Sequence, residues 1–362
     1  MKIEFIESKN KREKPDDSTL VFGTVFSDHM FTMDYDEGKG WHTPQIRPYE
    51  NISVSPAAMV FHYGQSIFEG MKCYKVSENE IQLFRPEKNF ERLNTSCERL
   101  CIPTLDEKFM LEALIELLKI EHEWIPKSPN TSLYIRPFVF ATEPLVGVRA
   151  SKQYKFMILL SPVGAYYKEG LNPVKIFVED DYVRSVRGGV GYTKAAANYA
   201  ISLKGQEKAH ELGYSQVLWL DGIERKYIEE VGAMNVFFKI NGEIVTPELS
   251  GSILAGITRA SIIELLQSLG EKVTERRVSI EELFIASENG QLQETFGTGT
   301  AAVVSPVSEL FWQDKRIVCG SSENTEIRGI GETSQMLYDT LTQIQYGKIE
   351  DKFGWTKKIK VN

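Results

Sequence analysis

Four short segments of the chain combine glycine, small residues and ionisable side chains, and chemistry is expected there. They are GGVGYTKAAANYA (188–200), IEEVGAMN (228–235), GITRASI (256–262) and FGTGTAAVV (296–304). Each lies where a strand or loop is predicted to meet a helix or another strand, which is the usual place for a ligand site in an α/β layer.

Lys194 follows a glycine-rich turn and opens a helix of small residues. An amine held near positive charge or in an apolar pocket loses basicity and becomes a nucleophile toward a carbonyl, as a Schiff-base lysine does. A solvated surface lysine is the alternative from position alone. A P-loop is excluded, because Thr193 stands where glycine is required and Ala195 stands where serine or threonine is required. Tyr199 could reach the same pocket from the helix flank or pack in a core.

Two further segments offer a carboxylate and an anion site. Glu229 and Glu230 precede an apolar strand, so one of them could be drawn inward, although paired acids are usually a solvated turn. Ile257 and Thr258 stand at a predicted helix start, where unpaired amides and the helix dipole favour an anion. A plain helix cap is the alternative for that segment.

The FGTGTAA segment has glycines spaced like a dinucleotide fingerprint, at Gly297 and Gly299. A β-rich run follows it instead of a helix, so the dinucleotide interpretation is weak. A tight turn that presents amides and the hydroxyls of Thr298 and Thr300 to an anion fits better.

Two arginines occupy positions where a charge needs a reason. Arg92 lies beside the apolar face of a predicted helix, and Arg136 lies within the strand-like LYIRPF. An inward guanidinium usually faces a carboxylate or a phosphate, whereas an exposed face is the alternative for both residues. The aromatic residues that could line a pocket are Phe26, Tyr63, Phe68, Tyr134 and Tyr166.

Length and composition limit the class of protein. A chain of 362 residues suggests about two domains, and a formal net charge of −8 supplies no basic surface for nucleic acid. The N-terminus resembles neither a secretory signal nor a transit peptide, and the charge-free stretch 51–68 is a poor membrane segment, so the cytoplasm is expected. The five histidines and four cysteines show no metal-ligand spacing, so no metal is predicted and the cysteines are expected to be reduced.

The elements that position these segments alternate between strands and helices, which predicts an α/β (α+β) protein. The predicted organisation is an N-terminal domain over 1–165, a linker over 166–173 and a C-terminal domain over 174–362. Capping boxes are predicted at Thr104-x-x-Glu107 and Ser279-x-x-Glu282. The strand-like runs include LVFGTVF (20–26), IQLFR, SLYIRPFVFA, YKFMILLSP, VKIFVE, SQVLWLD, NVFFKI and AAVVSPV, and the helices cover about 88–101, 104–124, 195–212, 257–269, 279–289 and 332–346.

Taken together, the motifs resemble those of the fold-type IV pyridoxal-phosphate enzymes, and specifically the branched-chain amino acid aminotransferases. The resemblance covers nearly the whole chain, because the order and spacing of many segments agree. They include VFGTVFSDHM, FHYGQSIFEGMKCY, LFRPEKNFERL, LYIRPF, EPLVGV, PVGAYY, GGVGYTKAAANYA, EEVGAMN, GITR, FGTGTA and the terminal IQYG.

This resemblance implies a small N-terminal α/β domain, a larger C-terminal domain, pyridoxal 5'-phosphate as cofactor and a homodimer. Lys194 would bind the cofactor aldehyde, Tyr199 its phenolate oxygen and Glu230 its pyridine nitrogen. The phosphate would be held by Arg92, Ile257, Thr258 and Thr300. The substrate would be held by the amides of Thr300 and Ala301, by Phe26, Phe68, Tyr134, Arg136 and Tyr166, and by Tyr63 and Val148 of the other subunit.

The implied activity is a ping-pong transfer of the amino group of L-leucine, L-isoleucine or L-valine to 2-oxoglutarate. Arg136 matches the family residue that receives the γ-carboxylate of glutamate. The sequence departs from the mammalian members at residues 302–305, where they have a redox CxxC. A D-amino acid aminotransferase or an aminodeoxychorismate lyase is the nearest alternative, and a nicotinamide dehydrogenase or a non-catalytic binding protein would belong to other classes.

Overall fold

The structure, a computed structural model, describes residues 1–164, 171–320 and 330–361. By the contacts of its Cα atoms the chain divides into two compact units. The first comprises Met1–Tyr166, Lys194–Ala196 and Gln343–Asn362, and the second comprises Tyr167–Thr193 and Ala197–Thr342.

Two segments that were predicted to belong to the C-terminal domain group with the first unit. They are Lys194–Ala196 and Gln343–Asn362. The predicted domain bounds themselves stay a prediction, since much of the linker over 166–173 lies outside the described residues.

A sheet that is antiparallel except for one strand pair, β1 with β3, frames the first unit. Its strands are β1 (Glu4–Phe5), β2 (His29–Asp36), β3 (Gly40–Pro48), β4 (Ser66–Phe68), β5 (Met71–Ser77), β6 (Glu80–Phe84), β7 (Ser132–Ala141), β8 (Gln153–Val163) and β18 (Thr356–Lys360). The described strands follow the order β1-β3-β2-β8-β7-β5-β6-β18, and β4 pairs with β7. The central strands alternate between a face that packs into the core and a face that carries Tyr134 and Arg136.

The helices of this unit are α1 (Met59–Tyr63), α2 (Pro86–Arg99) and α3 (Glu107–Ile120). α2 is amphipathic, because Phe90, Leu93 and Cys97 recur at helical spacing and are fully buried in the core. α3 begins after Asp106, whose carboxylate accepts a hydrogen bond from the Phe109 amide at 3.0 Å.

Two predictions for this unit are wrong. The helix start is capped by Asp106 and not by Thr104, because Asp106 is the extended residue next to the first helical turn. The segment 20–26 is not a strand, since Thr24 donates a turn hydrogen bond to the Val21 carbonyl and Gly23 has a φ of 73°. In addition, α3 ends at Ile120, before the predicted end near residue 124.

A mixed sheet frames the second unit. Its strands are β9 (Val174–Glu179), β10 (Gln216–Leu220), β11 (Ile228–Val231), β12 (Asn235–Ile240), β13 (Glu243–Thr246), β14 (Val273–Glu275), β15 (Leu292–Gly299), β16 (Val303–Trp312) and β17 (Lys315–Val318). Their order in the described ranges is β11-β10-β9-β16-β15-β12-β13-β14, with β17 on β16. β9 pairs parallel with both β10 and β16, so the predicted α/β class is confirmed.

The helices of the second unit are α4 (Ala197–Glu211), α5 (Ile257–Ser268), α6 (Ile280–Glu288) and α7 (Glu332–Gln345). The predicted cap of α6 is confirmed, because the Ser279 hydroxyl accepts from the Glu282 amide at 3.0 Å. The glycines that follow α4, α5 and α6 adopt the left-handed conformation that ends a helix, and they are Gly213, Gly270 and Gly290. None of the helices in the described residues combines the length and apolar character needed to cross a membrane.

Candidate active site

The backbone of Lys194 is fixed within the first unit by contacts on both sides. The Phe68 amide donates to the Lys194 carbonyl at 3.1 Å, and the Ala196 amide donates to the Ser66 carbonyl at 3.0 Å, so the segment lies along β4. The Lys194 amide donates in turn to the Ser96 hydroxyl of α2 at 3.0 Å. The lysine that follows the glycine-rich turn is therefore held by hydrogen bonds to β4 and to α2.

The Lys194 side chain lies among aromatic and charged groups. Its Nζ is 4.8 Å from the centre of the Phe68 ring. Burial lowers the pKa of Lys194 to about 8; the Arg92 guanidinium adds to this lowering, and the Glu69 carboxylate opposes it. A buried amine with reduced basicity has a larger neutral fraction at neutral pH, which is the nucleophilic form.

Arg92 projects from α2 to a buried carboxylate that the sequence analysis did not single out. Its Nε donates to Glu69 Oε1 at 2.7 Å, and its Nη2 donates to Glu69 Oε2 at 2.9 Å. The Glu69 side chain is fully buried, and that of Arg92 is 12% exposed. Of the two alternatives open for Arg92, the inward guanidinium is correct.

Arg136 lies on β7 against two aromatic rings. Its Cζ is 4.5 Å from the centre of the Phe68 ring, and its Nη2 donates to the Tyr134 hydroxyl at 3.0 Å. The tyrosine is seated against Gly70, where a Cβ would lie 2.1 Å from its hydroxyl oxygen. The result is an aromatic wall that carries a guanidinium, and the Nε of Arg136 is buried with no hydrogen-bond partner among the described residues.

The other predicted pocket residues of the first unit have different surroundings. Phe26 stacks on Tyr49 with ring centres 4.8 Å apart. Tyr63 ends α1 and is 39% exposed, and Val148 is 87% exposed in the loop between β7 and β8. Tyr166 lies outside the described residues.

In the second unit both predicted acids of β11 are buried, where at most one was expected to turn inward. Glu230 Oε1 accepts from the Leu254 amide at 2.8 Å and lies 3.3 Å from Arg184 Nη2. Glu229 accepts from the Ser252 hydroxyl. Burial raises the pKa of Glu229 to about 7, because the Ser252 hydroxyl and the Arg184 guanidinium only partly offset it.

The start of α5 is held close to β12. The Asn235 side-chain amide donates to the Leu254 carbonyl at 2.9 Å, which links β12 to the residue that binds Glu230 in the segment before α5. A Cβ at Gly256 would lie 1.9 Å from Asn235 Oδ1, so only glycine fits before Ile257 and Thr258. The first amides of α5 therefore follow a closely packed turn, and the amides of a helix start favour an anion.

The turn between β15 and β16 is adjacent to the same strand, since Asn235 is in register with Thr298. The Thr298 hydroxyl donates to the Val303 carbonyl at 2.7 Å and is buried, so the prediction that it faces an anion is wrong. Thr300 and Ala301 occupy the turn itself and are partly buried. Tyr199 is partly buried in the first turn of α4.

Comparisons with known proteins place the chain in a family. The sequence model of the amino-transferase class IV family matches residues 66–310. Branched-chain-amino-acid aminotransferase 2 of Bacillus subtilis is 58% identical over 352 residues, which are 97% of this chain and 95% of that protein. The chain belongs to the branched-chain amino acid aminotransferases of class IV.

Further relatives agree with this assignment. A probable branched-chain-amino-acid aminotransferase of Staphylococcus aureus is 57% identical and aligns over 98% of this chain and 97% of its own length. The crystal structure of the Escherichia coli branched-chain amino acid aminotransferase superposes with a TM-score of 0.74 at 27% identity, over 91% of this chain and 98% of that one. The T.th. branched-chain amino acid aminotransferase with pyridoxamine 5'-phosphate gives a TM-score of 0.69 at 26% identity, over 90% of this chain and 97% of that one.

Class IV aminotransferases depend on pyridoxal 5'-phosphate. The residues of this aminotransferase fit that cofactor in two respects. Lys194 has an amine whose basicity is lowered by burial, as condensation with an aldehyde needs, and the start of α5 after Gly256 has the amides of a helix N-terminus, which favour a phosphate.

Two charged residues of this aminotransferase were missed by reasoning from the sequence alone. Glu69 stands between Phe68 and Gly70 in the FEGMK motif, and an acid beside a strand-like SIF run was the available signal. Arg184 gave no comparable signal, because its partners Ser252 and Glu230 are distant along the chain. Both residues bring a charge into the immediate surroundings of a predicted site residue.

Proposed function

We propose that this aminotransferase moves the amino group of L-leucine, L-isoleucine or L-valine to 2-oxoglutarate in a ping-pong cycle, releasing branched 2-oxo acids and L-glutamate. The observation that carries the proposal is Arg136 among Phe68 and Tyr134. Aromatic faces can pack against a branched aliphatic side chain, and the guanidinium can donate hydrogen bonds to the γ-carboxylate of 2-oxoglutarate or glutamate. One pocket can thus serve both half-reactions.

The cofactor supplies an aldehyde for the amino group and a ring that spreads the negative charge formed at the substrate α-carbon. The proposed ligands are Lys194 for the aldehyde, Tyr199 for the ring oxygen, Glu230 for the ring nitrogen, and Arg92, Ile257, Thr258 and Thr300 for the phosphate. The amides of Thr300 and Ala301 would bind the substrate α-carboxylate.

Lys194 Nζ is proposed to remove the α-proton of the bound amino acid and later return it, acting as base and then as acid. A group that works in both directions is most effective when its proton affinity is near the operating pH, and burial moves Lys194 in that direction. Glu230 would keep a proton on the ring nitrogen, since the carboxylate is held by the Leu254 amide and faces away from bulk water.

We further propose a homodimer in which Tyr63 and Val148 complete the pocket of the other subunit. α1 and the loop that contains Val148 are linked through the bridge between Ala58 and Pro144. This linked region exposes apolar side chains that a partner would cover, namely Phe61, Tyr63, Val146 and Val148. The cytoplasm is the proposed location, and small molecules are the proposed ligands.

Replacing Arg136 by Met tests the substrate assignment. Because leucine has no carboxylate on its side chain and the influence of Arg136 on the pKa of Lys194 is smaller than those of burial and Arg92, we expect the KM for 2-oxoglutarate to rise at least about tenfold while the half-reaction with leucine changes by less than about threefold. Stopped-flow measurement of each half-reaction separates the two effects.

Arg47→Met removes a partly exposed arginine of β3 that pairs with Glu50, and it is the matched control. An equal loss with leucine and 2-oxoglutarate would contradict the shared-pocket proposal. Lys194→Ala is the inactive reference, and D-leucine in the substrate panel separates this activity from that of a D-amino acid aminotransferase.

A further inference from the structure

Glu69 is a fully buried carboxylate that none of the roles proposed above uses. It follows the last residue of β4, and its amide donates to the Pro137 carbonyl of β7 at 2.7 Å. This hydrogen bond fixes the backbone of Glu69, whose side chain contacts Arg92 of α2. Its position next to Phe68 places it beside the strand along which Lys194 lies.

Both carboxylate oxygens of Glu69 are occupied by donors. Oε1 accepts from Arg92 Nε, and Oε2 accepts from Arg92 Nη2, from Asn89 Nδ2 at 2.7 Å and from the Gly70 amide at 3.1 Å. Burial by itself raises the pKa of Glu69, but Arg92, Lys194 and Asn89 outweigh it and leave the pKa below its usual value. Glu69 therefore remains an anion.

The geometry of this ion pair limits the orientation of Arg92. A carboxylate that binds the Nε and Nη2 edge side-on holds the plane of the guanidinium, whereas a single contact would leave it free to rotate. Asn89 precedes Arg92 by almost one turn of α2 and holds the same carboxylate. The helix thus presents Arg92 in one orientation.

The charges around Lys194 give Glu69 a second effect. The groups that face this amine are Arg92 from α2, Tyr134 and Arg136 from β7, and Glu69 from the turn after β4. The two guanidiniums disfavour a proton on Nζ, whereas the Glu69 carboxylate and, to a smaller extent, Tyr134 favour it. Without Glu69 the guanidiniums would lose the larger of these two opposing contributions.

We propose that Glu69 is a positioning residue of this aminotransferase, which orients Arg92 toward the cofactor phosphate and supplies the negative charge that faces the Lys194 amine. The inference rests on the proposed role of Arg92 and extends it to the residue that holds it. Both oxygens of Glu69 are bound by protein groups, so its proposed action runs through Arg92 and through its charge.

Glu69→Gln in the holoenzyme tests this role. The amide keeps the size of the side chain but removes the charge and places a donor against Arg92. We expect the dissociation constant for pyridoxal 5'-phosphate, measured by equilibrium titration of the apoprotein, to rise at least about tenfold. We also expect the pH midpoint of the holoenzyme's visible absorption band to fall, since a neighbouring negative charge is lost.

Glu91→Gln is the matched control, because Glu91 lies on the same helix and pairs with the exposed Lys88. It should leave both the affinity and the midpoint unchanged. Glu69→Asp keeps the charge but shortens the reach to Arg92, so it should weaken cofactor affinity severalfold while retaining a midpoint near that of the wild type.

An unchanged affinity and midpoint in Glu69→Gln would overturn the inference. If that variant does not fold, wild-type affinity in Glu69→Asp would overturn it equally. Failure of the proposed function would be recognised separately, because the wild-type enzyme would then show no transfer from leucine at all.

Discussion

Lys194 in the first unit and Glu229 in the second carry opposite charges, but their surroundings act on both in the same way, by disfavouring the charged form. The pKa of the amine is influenced by Arg92 and Arg136, and that of the acid by Arg184 and by the neighbouring Glu230. Burial is the largest influence in both cases: it lowers the pKa of Lys194 to about 8 and raises that of Glu229 to about 7. Desolvation has thus shifted the pKa values of an amine and of a carboxyl group toward neutral pH.

The two shifts have opposite consequences for stability. A lysine whose pKa is lowered on folding penalises the folded state when it is protonated, so stability rises as the pH increases from 8 toward 10.5. A glutamate whose pKa is raised penalises the folded state when it is ionised, so stability falls as the pH increases from 4.5 toward 7. Between pH 7 and 8 the cofactor-free protein bears most of both penalties.

Removing the Arg184 guanidinium, which pairs with Glu230 and lowers the pKa of Glu229, should have the largest effect. Arg184→Met leaves Glu230 and Glu229 buried without that cation, and loss of one partner of a buried ion pair costs about 3–5 kcal/mol. Urea denaturation of the cofactor-free protein should show this loss at pH 8 and a smaller loss at pH 6, where Glu229 takes up a proton. Arg316→Met, at a 71% exposed side chain, should change stability by less than about 0.5 kcal/mol. Equal losses at both pH values would contradict the linkage.

Removing the buried amine should stabilise the protein. A pKa lowered from 10.5 to about 8 corresponds to a penalty of about 3 kcal/mol below pH 8. Lys194→Met should therefore unfold at higher urea concentration than the wild type at pH 7, and the difference should shrink between pH 8 and 10.5. Lys204→Met replaces an exposed lysine of α4 and should show no such pH dependence. A destabilised Lys194→Met at pH 7 would refute the assigned penalty.

Neutralising the buried acid should have an effect of the same sign and of similar size. Glu229→Gln keeps an acceptor for the Ser252 hydroxyl and removes the ionised form, so a gain of about 3 kcal/mol is expected at pH 8. The gain should vanish near pH 4.5, where the wild-type carboxyl is also neutral on folding. Glu224→Gln, which removes an exposed partner of Arg277, serves as control. A gain that persists unchanged at pH 4.5 would show that proton linkage is not its cause.

Local patterns predicted the elements well where the signal lies within a few residues. The start of α6 at Ser279 and the left-handed glycines after α4, α5 and α6 follow from capping and turn chemistry that adjacent residues decide. The cap at Thr104 failed because Asp106, two residues later, competes for the same helix start. The segment 20–26 has strand-like composition, but the turn at Gly23 interrupts it.

The candidate site was predicted less evenly. The family and the residues proposed to act could be inferred from the motif around Lys194 and from the resemblance, because residue types and their order are properties of the sequence. Only the tertiary structure decided that Glu69 holds Arg92, that both acids of β11 are buried and that Thr298 turns inward. Ionisation depends on desolvation and on charges that are tens of residues away in sequence, and these are known only after the chain has folded.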